Sequence, residues 1–556
     1  MATAISILGG VGLFLLGMAV MTDGLKALAG SALRVVLAKA AATSLLGTFW
    51  GAVITLLVQS SSATTMTTIG LVSAGLLTFP QGLSLVFGAN IGTTGTGWLV
   101  ALLGVRVSLT AAALPIVFVG ALLKLVGRGR WAGAGSAIAG FALILVGLTT
   151  LQQGMSGLAE QLHPADLPTV LGEPGVPWWS GLLGVLVLVA AGIVMTTVMQ
   201  SSTAAIAVSL SALYAGAIGL DQAVALVIGQ NIGTATSSAV AAVGASSTAK
   251  RLAVAYIAFK LIAALVALVL FPVVIRLMLR ASASVDAVTL IAAYHTGYNV
   301  VGVAILLPLL GPFTRMIERI VPERGSVFTR CLDPASLASP IVAVEAVRRT
   351  VARALEALCT AAAAKLASSG GDGSLRPAVD SGLVQQTSDA LRQAQGFLSK
   401  ISDPLASEEE QQWLVGTLHA LDHTTRLAEA LGEGATIDAS VNGGDERHAA
   451  ALCADALQSA ALVVAPLARP PDPKAINDDR PQHAAAAANG TDIHLRSRAN
   501  ELADLVATHR RTTLDSVASG SLTARDAIGR VEVVRFLDRL AHHSWRATAH
   551  LLGVVA

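Results

Sequence analysis

The chain has 556 residues, 54% hydrophobic and only 13% charged, with a formal net charge of +2. A soluble globular protein averages about 25% charged residues, so the whole chain is not one soluble domain. No basic stripe with interleaved aromatics occurs, which excludes a nucleic-acid partner as an expectation. The shortfall in charge is uneven: residues 1–311 hold long apolar runs, and residues 315–556 hold most of the Lys, Arg, Asp and Glu. That split predicts a membrane part followed by a soluble part. All three cysteines, Cys331, Cys359 and Cys453, fall in the second part. An odd count without paired spacing argues against a disulfide framework or a zinc site, and for packed thiols in a reducing compartment.

In chain order, an apolar run of about 20 residues is long enough to span a bilayer. The predicted spans are 4–22, 82–103, 108–125, 132–151, 222–243, 251–274 and 287–310. The first lacks a basic n-region and reads as a retained span, not a signal peptide. Two further apolar stretches, 45–79 and 178–219, are each long enough for two short helices but too short for two full spans. Both carry a polar cluster at the centre, QSSSATT at 59–65 and QSSTAA at 200–205. Backbone at membrane depth cannot leave its hydrogen bonds unmade in lipid. Both stretches therefore read as re-entrant hairpins with the polar cluster at the tip. Basic residues place the loops: Lys26, Arg34, Lys39, Lys124, Arg128, Arg130, Lys250 and Arg251 on one side, against Arg106, Arg276 and Arg280 on the other. The first set and the C-terminal domain are expected in the cytoplasm, with the N-terminus outside.

The two halves repeat. Gln59-Ser60-Ser61 matches Gln200-Ser201-Ser202 at an offset of 141, and Gly88, Asn90, Ile91, Gly92 and Thr93 match Gly229, Asn231, Ile232, Gly233 and Thr234 at the same offset. Residues 13–29 resemble 143–159 at an offset of 130. Each unit reads as span, hairpin, broken span, span, with repeat 1 over about 4–125 and repeat 2 over about 132–274. The loop assignment turns one unit upside down relative to the other, the architecture of secondary transporters. The fold class is thus all-α and polytopic, with two inverted repeats.

The polar clusters carry the chemistry. Ser60, Ser61, Ser62 and Thr64 sit where the second helix of the first hairpin begins, and Ser201, Ser202 and Thr203 match them in the second. A helix start presents unpaired N–H groups and about +0.5 elementary charge. With hydroxyls added, it is a ready anion site. No Arg or Lys lies in either cluster, so an anion would be held by neutral donors and could be released. The runs GANIGTTGTG at 88–97 and GQNIGTATSS at 229–238 break a helix that otherwise spans. Freed carbonyls, Asn amide oxygens and Thr hydroxyls there are hard ligands suited to an alkali cation. The Gly-rich spacing lacks the strand–loop–helix context and GK[ST] ending of a nucleotide loop. Close helix packing accounts for the glycines alone. No nucleophile–base or metal-ligand constellation emerges, so no enzyme is expected.

At these residues the sequence resembles the type II sodium–phosphate cotransporter family, in its bacterial form with a PhoU-like C-terminal domain, over nearly the whole chain. The resemblance implies sodium-coupled uptake of inorganic phosphate, with sodium as coupling ion, no cofactor and no other metal. It implies substrate roles for Gln59, Ser60, Ser61, Ser62, Thr64, Gln200, Ser201, Ser202 and Thr203. Sodium-facing roles fall to Asn90, Thr93, Thr94, Asn231 and Thr234. The family tends to carry a His and an Asn in an A-H-x-x-F-N stretch, where this chain reads AYIAFK, with Tyr256 and Lys260 in those places. Lys260 lies near mid-membrane, where an ionisable side chain is a functional candidate. It either snorkels to water or substitutes for a bound cation. The later stretch AYHTGYN at 293–299 keeps the family's His295, Thr296 and Asn299, and His295 reads as a packed histidine. Importing a phosphate dianion against an inside-negative potential costs about 4.6 kcal/mol per 100 mV, which co-moving cations reverse; an exporter needs no coupling. Alternatives are an exporter, a carrier for another oxyanion, or a membrane phosphate sensor.

Residues 1–314 form the expected transport domain in the cell membrane, 315–334 a linker, and 335–556 a cytoplasmic PhoU-like domain. Amphipathic helices are predicted there at roughly 340–368, 377–401, 407–432, 445–467, 494–518 and 522–553. Breakers separate them, among them a loop over 470–483. Asp422, His423, Asp538, His542 and His543 could hold a metal, but solvated helix faces carry such residues routinely. A regulatory partner or a homodimer is the expected use of this domain.

Overall fold

A computed structural model describes residues 2–29, 43–104, 110–171, 175–243, 245–323, 326–368, 374–375, 379–401, 405, 407–433, 439–440, 444–469 and 480–554. Arg34, Lys39, Arg106 and most of the predicted 470–483 loop lie outside them. The chain divides into two compact units, residues 1–69 with 79–323, and residues 70–78 with 324–556.

In the first unit, repeat 1 runs α1 (Ala2–Ala29), the hairpin α2 (Ser44–Val58) and α3 (Ser61–Ser73), the broken pair α4 (Phe79–Thr93) and α5 (Gly95–Leu99), a π-helical turn (Val100–Gly104) and α6 (Thr110–Val126). Repeat 2 runs α7 (Arg130–Ala159), the hairpin α8 (Trp178–Met199) and α9 (Ser202–Tyr214), the broken pair α10 (Leu220–Gly233) and α11 (Ala235–Ala241), and α12 (Ser247–Ala281). Then come α13 (Ala287–Leu306) and α14 (Leu310–Ile320). The predicted linker over 315–334 thus begins inside a helix. The second hairpin also departs from the expected pair of short limbs. Its first limb, α8, has 22 residues, about 33 Å at 1.5 Å per residue, the full thickness of a hydrocarbon core. Leu57, Val198, Val269 and Leu277 stand exposed on these helices, as apolar side chains facing lipid do.

Helix α1 crosses α7 through glycines. A Cβ added at Gly10 would lie 2.9 Å from the Gly147 carbonyl oxygen, and one at Gly17 would lie 2.8 Å from that of Gly140. The reverse also holds, at 2.6 Å from Gly140 to the Gly17 oxygen and 2.9 Å from Gly147 to the Gly10 oxygen. Residue 10 meets 147 while 17 meets 140, so the helices are antiparallel. At the repeat offset of 130, Gly10 corresponds to Gly140 and Gly17 to Gly147. Exchanging the repeats therefore carries the contact of Gly10 with Gly147 onto that of Gly140 with Gly17, a self-complementary two-fold contact of the kind an inverted duplication makes.

The second unit is helical apart from an antiparallel pairing of Ser374–Leu375 with Ala439–Ser440. Its helices are α15 (Pro340–Ser368), α16 (Ser381–Leu398), α17 (Glu408–Glu433), α18 (Gly444–Ala468), α19 (Arg480–Ala518) and α20 (Ala524–Leu552). Helix α19 starts at Arg480, earlier than the expected 494, and takes up the end of the predicted loop. Among the described residues, eight helices are long and apolar enough to cross a membrane, and α18 is one of them. Helix α18 packs against α15, α19 and α20. A helix with neighbours on several sides is apolar around most of its girth, and α18 opens on Asp445 and Glu446. It reads as the central helix of a bundle. Cys331, Cys359 and Cys453 are buried and unpaired.

Candidate functional site

Both hairpins turn on a glutamine. Gln59 and Gln200 have φ of 57° and 50°, and they are the non-glycine residues with positive φ among those described. Each side chain folds back on the helix it ends: Gln59 Nε2 donates to the Leu56 carbonyl and Gln200 Nε2 to that of Thr197, at 2.5 and 2.6 Å. The next residue caps the helix that follows. Ser60 Oγ accepts from the Ala63 N–H and Ser201 Oγ from the Ala204 N–H, each at 3.2 Å. The polar motif is thus a C-cap and an N-cap back to back, which reverses the chain with its backbone groups satisfied.

Beyond the caps, Ser61 and Ser62 open α3, and Ser202 and Thr203 open α9. All four line one cavity of about 340 Å³, together with Gln59, Ser60, Gln200 and Ser201. Two helix N-termini from opposite halves therefore share one space, where their partial positive ends and hydroxyl donors suit an anion. Lys26 lines the cavity too, 3.5 Å from Asp23. Thr64 does not line it. Its hydroxyl is buried, donating to the Ser60 carbonyl at 3.2 Å and accepting from Thr55 at 2.9 Å, so it braces the hairpin. Thr65, Thr196, Thr236 and Ser237 line the cavity without having been singled out. Thr196 was legible: extending the repeat to the left pairs it with Thr55 at the offset of 141.

The broken helices differ from expectation. Their interruptions are single residues, Thr94 and Thr234, which keep right-handed helical torsions. Three carbonyls at these breaks accept from local hydroxyls: Thr94 donates to Ile91, Thr234 to Asn231 and Thr236 to Gly233, each at 2.7 Å. A threonine bonding back to its own helix satisfies the oxygen that the kink exposes. The glycines of these runs serve packing. A Cβ at Gly88 would lie 1.9 Å from the Thr48 oxygen, and one at Gly229 would lie 1.9 Å from the Val189 oxygen.

Of the residues expected to face sodium, Thr93 and Thr234 line the cavity. Asn90, Thr94 and Asn231 are buried beside it. Asn90 Nδ2 donates to the Val86 carbonyl at 2.9 Å, and Tyr256 donates to Asn90 Oδ1 at 3.3 Å. Asn231 Nδ2 donates to Asn299 Oδ1 at 3.2 Å, and Lys260 donates to Asn231 Oδ1. Asn299 Nδ2 in turn donates to the His295 carbonyl at 2.9 Å. His295 and Asn299 are therefore buried beside the broken helix of repeat 2, away from the cavity surface. Lys260 is 2% exposed, so it does not snorkel to water.

In the second unit, histidines gather between α17 and α20. His423 Nδ1 lies 3.0 Å from His543 Nδ1, and the His419 and His550 rings stack at 4.7 Å. Burial, with His543 beside it, pushes the His423 imidazole down to about 4. Burial, with His542 beside it, does the same to His543. Asp422 pairs with Arg426 at 2.9 Å, and no set of three or more ligating side chains converges among the described residues.

The profile of the Na+/Pi-cotransporter family matches residues 13–153 and 184–306, which take in both hairpins and both broken helices. Uncharacterized protein YqeW of Bacillus subtilis is 30% identical over 272 residues, 49% of this chain and 83% of that one. YjbB of Escherichia coli, provisionally named an inorganic phosphate export protein, is 27% identical over 364 residues, 64% of each chain. This chain therefore spans just under two thirds of that relative's length. Sodium-dependent phosphate transport protein 2B of Homo sapiens is 46% identical over 61 residues, 11% of this chain and 9% of that one. No solved structure matches. The duplicated hairpin motif, its shared cavity and these likenesses agree: the chain belongs to the Na+/Pi-cotransporter family.

Proposed function

We propose that this protein carries inorganic phosphate across the cell membrane by alternating access, with sodium as the coupling ion and the helical C-terminal region in the cytoplasm. The observation that carries the reading is the single cavity lined by Ser61, Ser62, Ser202 and Thr203 at two helix starts. Hydroxyl donors and helix ends hold a phosphate there, and the Lys26 ammonium in the cavity wall is paired with Asp23, so release is as accessible as capture. Sodium coupling rests on the family and on the name of the human relative. Efflux is the second reading. It is favoured by the buried Lys260, a positive charge that does not travel with a sodium gradient, and by the name of the Escherichia coli relative.

Labelled phosphate flux in proteoliposomes, with a sodium gradient imposed in either direction, tests this. Flux that follows the sodium gradient supports symport, and flux indifferent to it supports efflux. Phosphate binding without flux would overturn both in favour of a sensor.

A further inference from the structure

We propose that α12 closes the paired asparagine oxygens of the two repeats from within, and that the Lys260 ammonium stands at Asn231 as a tethered cation in place of a sodium ion. The inference rests on the reading of the chain as an ion-coupled carrier. Asn90 and Asn231 hold the same place in the two repeats, 141 residues apart. In each, the amide nitrogen is committed to an acceptor, the Val86 carbonyl for Asn90 and Asn299 Oδ1 for Asn231. That leaves each amide oxygen aimed at α12. Residues four apart on a helix share a face, and α12 offers one donor to each oxygen: Tyr256 to Asn90 and Lys260 to Asn231.

The two donors differ in charge. Tyr256 brings a neutral hydroxyl, and Lys260 brings an ammonium. Among the described residues, Lys260 is the one buried Lys, Arg, Asp or Glu of the first unit, and no carboxylate pairs with it. A buried charge is tolerated only where polar groups replace its water. Here the Asn231 amide oxygen does so, with the Tyr256 ring 5.4 Å from the ammonium. An oxygen set that suits an alkali cation also suits an ammonium, which adds three directed donors. The tethered cation differs in one respect: it cannot leave, so it draws no work from an ion gradient. One fewer sodium ion is then needed for each substrate carried.

The test uses the full-length protein in detergent and in proteoliposomes, with sodium chloride against choline chloride as the probe. Lys260→Asn and Lys260→Gln each remove the charge and supply a neutral amide oxygen; either one that elutes as folded protein suffices. Sodium is expected to raise the melting temperature of the variant, saturably and by more than it raises that of the wild type. Where phosphate flux is measured, the variant's Hill coefficient for sodium should rise by about one. An equal sodium response in wild type and variant would overturn the proposal. The melting shift is read without phosphate, so a failure of the phosphate reading leaves this result standing on its own. Absence of phosphate flux in the wild type under every gradient would count against that reading alone.

Discussion

The two repeats are alike in their turns and unlike in what meets their broken helices. Gln59 and Gln200 adopt the same left-handed conformation, Ser60 and Ser201 cap with the same 3.2 Å bond, and a Cβ added at Gly88 or at Gly229 would lie the same 1.9 Å from a carbonyl oxygen. The likeness ends at Asn90 and Asn231, one bonded by a tyrosine and the other by a lysine. Duplication explains the shared scaffold. The divergence lies on α12, which follows the broken pair of repeat 2 and serves both halves. A symmetric pair of hairpin tips thus sits beside an asymmetric lysine.

The largest expected effect tests the shared scaffold. Gly88→Ala and Gly229→Ala each press a methyl group onto a carbonyl, and overpacking costs about 1–3 kcal/mol or more. Both should lower the melting temperature by similar amounts, measured by size-exclusion thermostability; a marked inequality would break the equivalence. Next, Ser61→Ala and Ser202→Ala each remove a donor to a charged ligand, a loss of about 1.5 kcal/mol or more. Each should weaken phosphate binding roughly tenfold and the double variant roughly a hundredfold, read by calorimetry. Acid should then separate the helical unit from the membrane unit. His423 and His543 have folded values near 4, below the ordinary 6.5, so between those values the unfolded chain binds more protons. Stability present above pH 6.5 is therefore lost as pH falls toward 4. The drop in melting temperature from pH 7 to pH 5 should shrink in a His423→Gln/His543→Gln variant. The smallest effect is at the turns. Gln59→Gly and Gln200→Gly relieve about 1 kcal/mol of left-handed strain and lose a hydrogen bond of about the same worth. Both should leave the melting temperature within a few degrees of wild type.

Much of this was legible in the sequence because polar residues inside apolar runs are expensive and so stand out. The repeated QSS and NIGT clusters located both hairpin tips and both broken helices within a few residues. What escaped was geometry that composition does not encode. Nothing in GANIGTTGTG says that Thr94 would bond back to the Ile91 carbonyl. The resemblance flagged Tyr256 and Lys260, but only the fold shows that they reach the two equivalent asparagines. Thr64 matched the donor chemistry of its neighbours, yet its place one turn into α3 points it toward Thr55. The 22 residues of α8 were hidden because a hairpin limb and a full span share one composition.

The glycine crossing of α1 with α7 has a mechanical consequence. Gly10 touches Gly147 as Gly140 touches Gly17, so the contact maps onto itself when the halves change places. If the halves swap conformations as the cavity opens first to one side and then to the other, this seam needs no new partners. It would act as an axle, identical at both ends of the stroke, and the energy difference between the two end states would have to come from elsewhere. The most conspicuous asymmetry within the membrane unit is the lysine on α12.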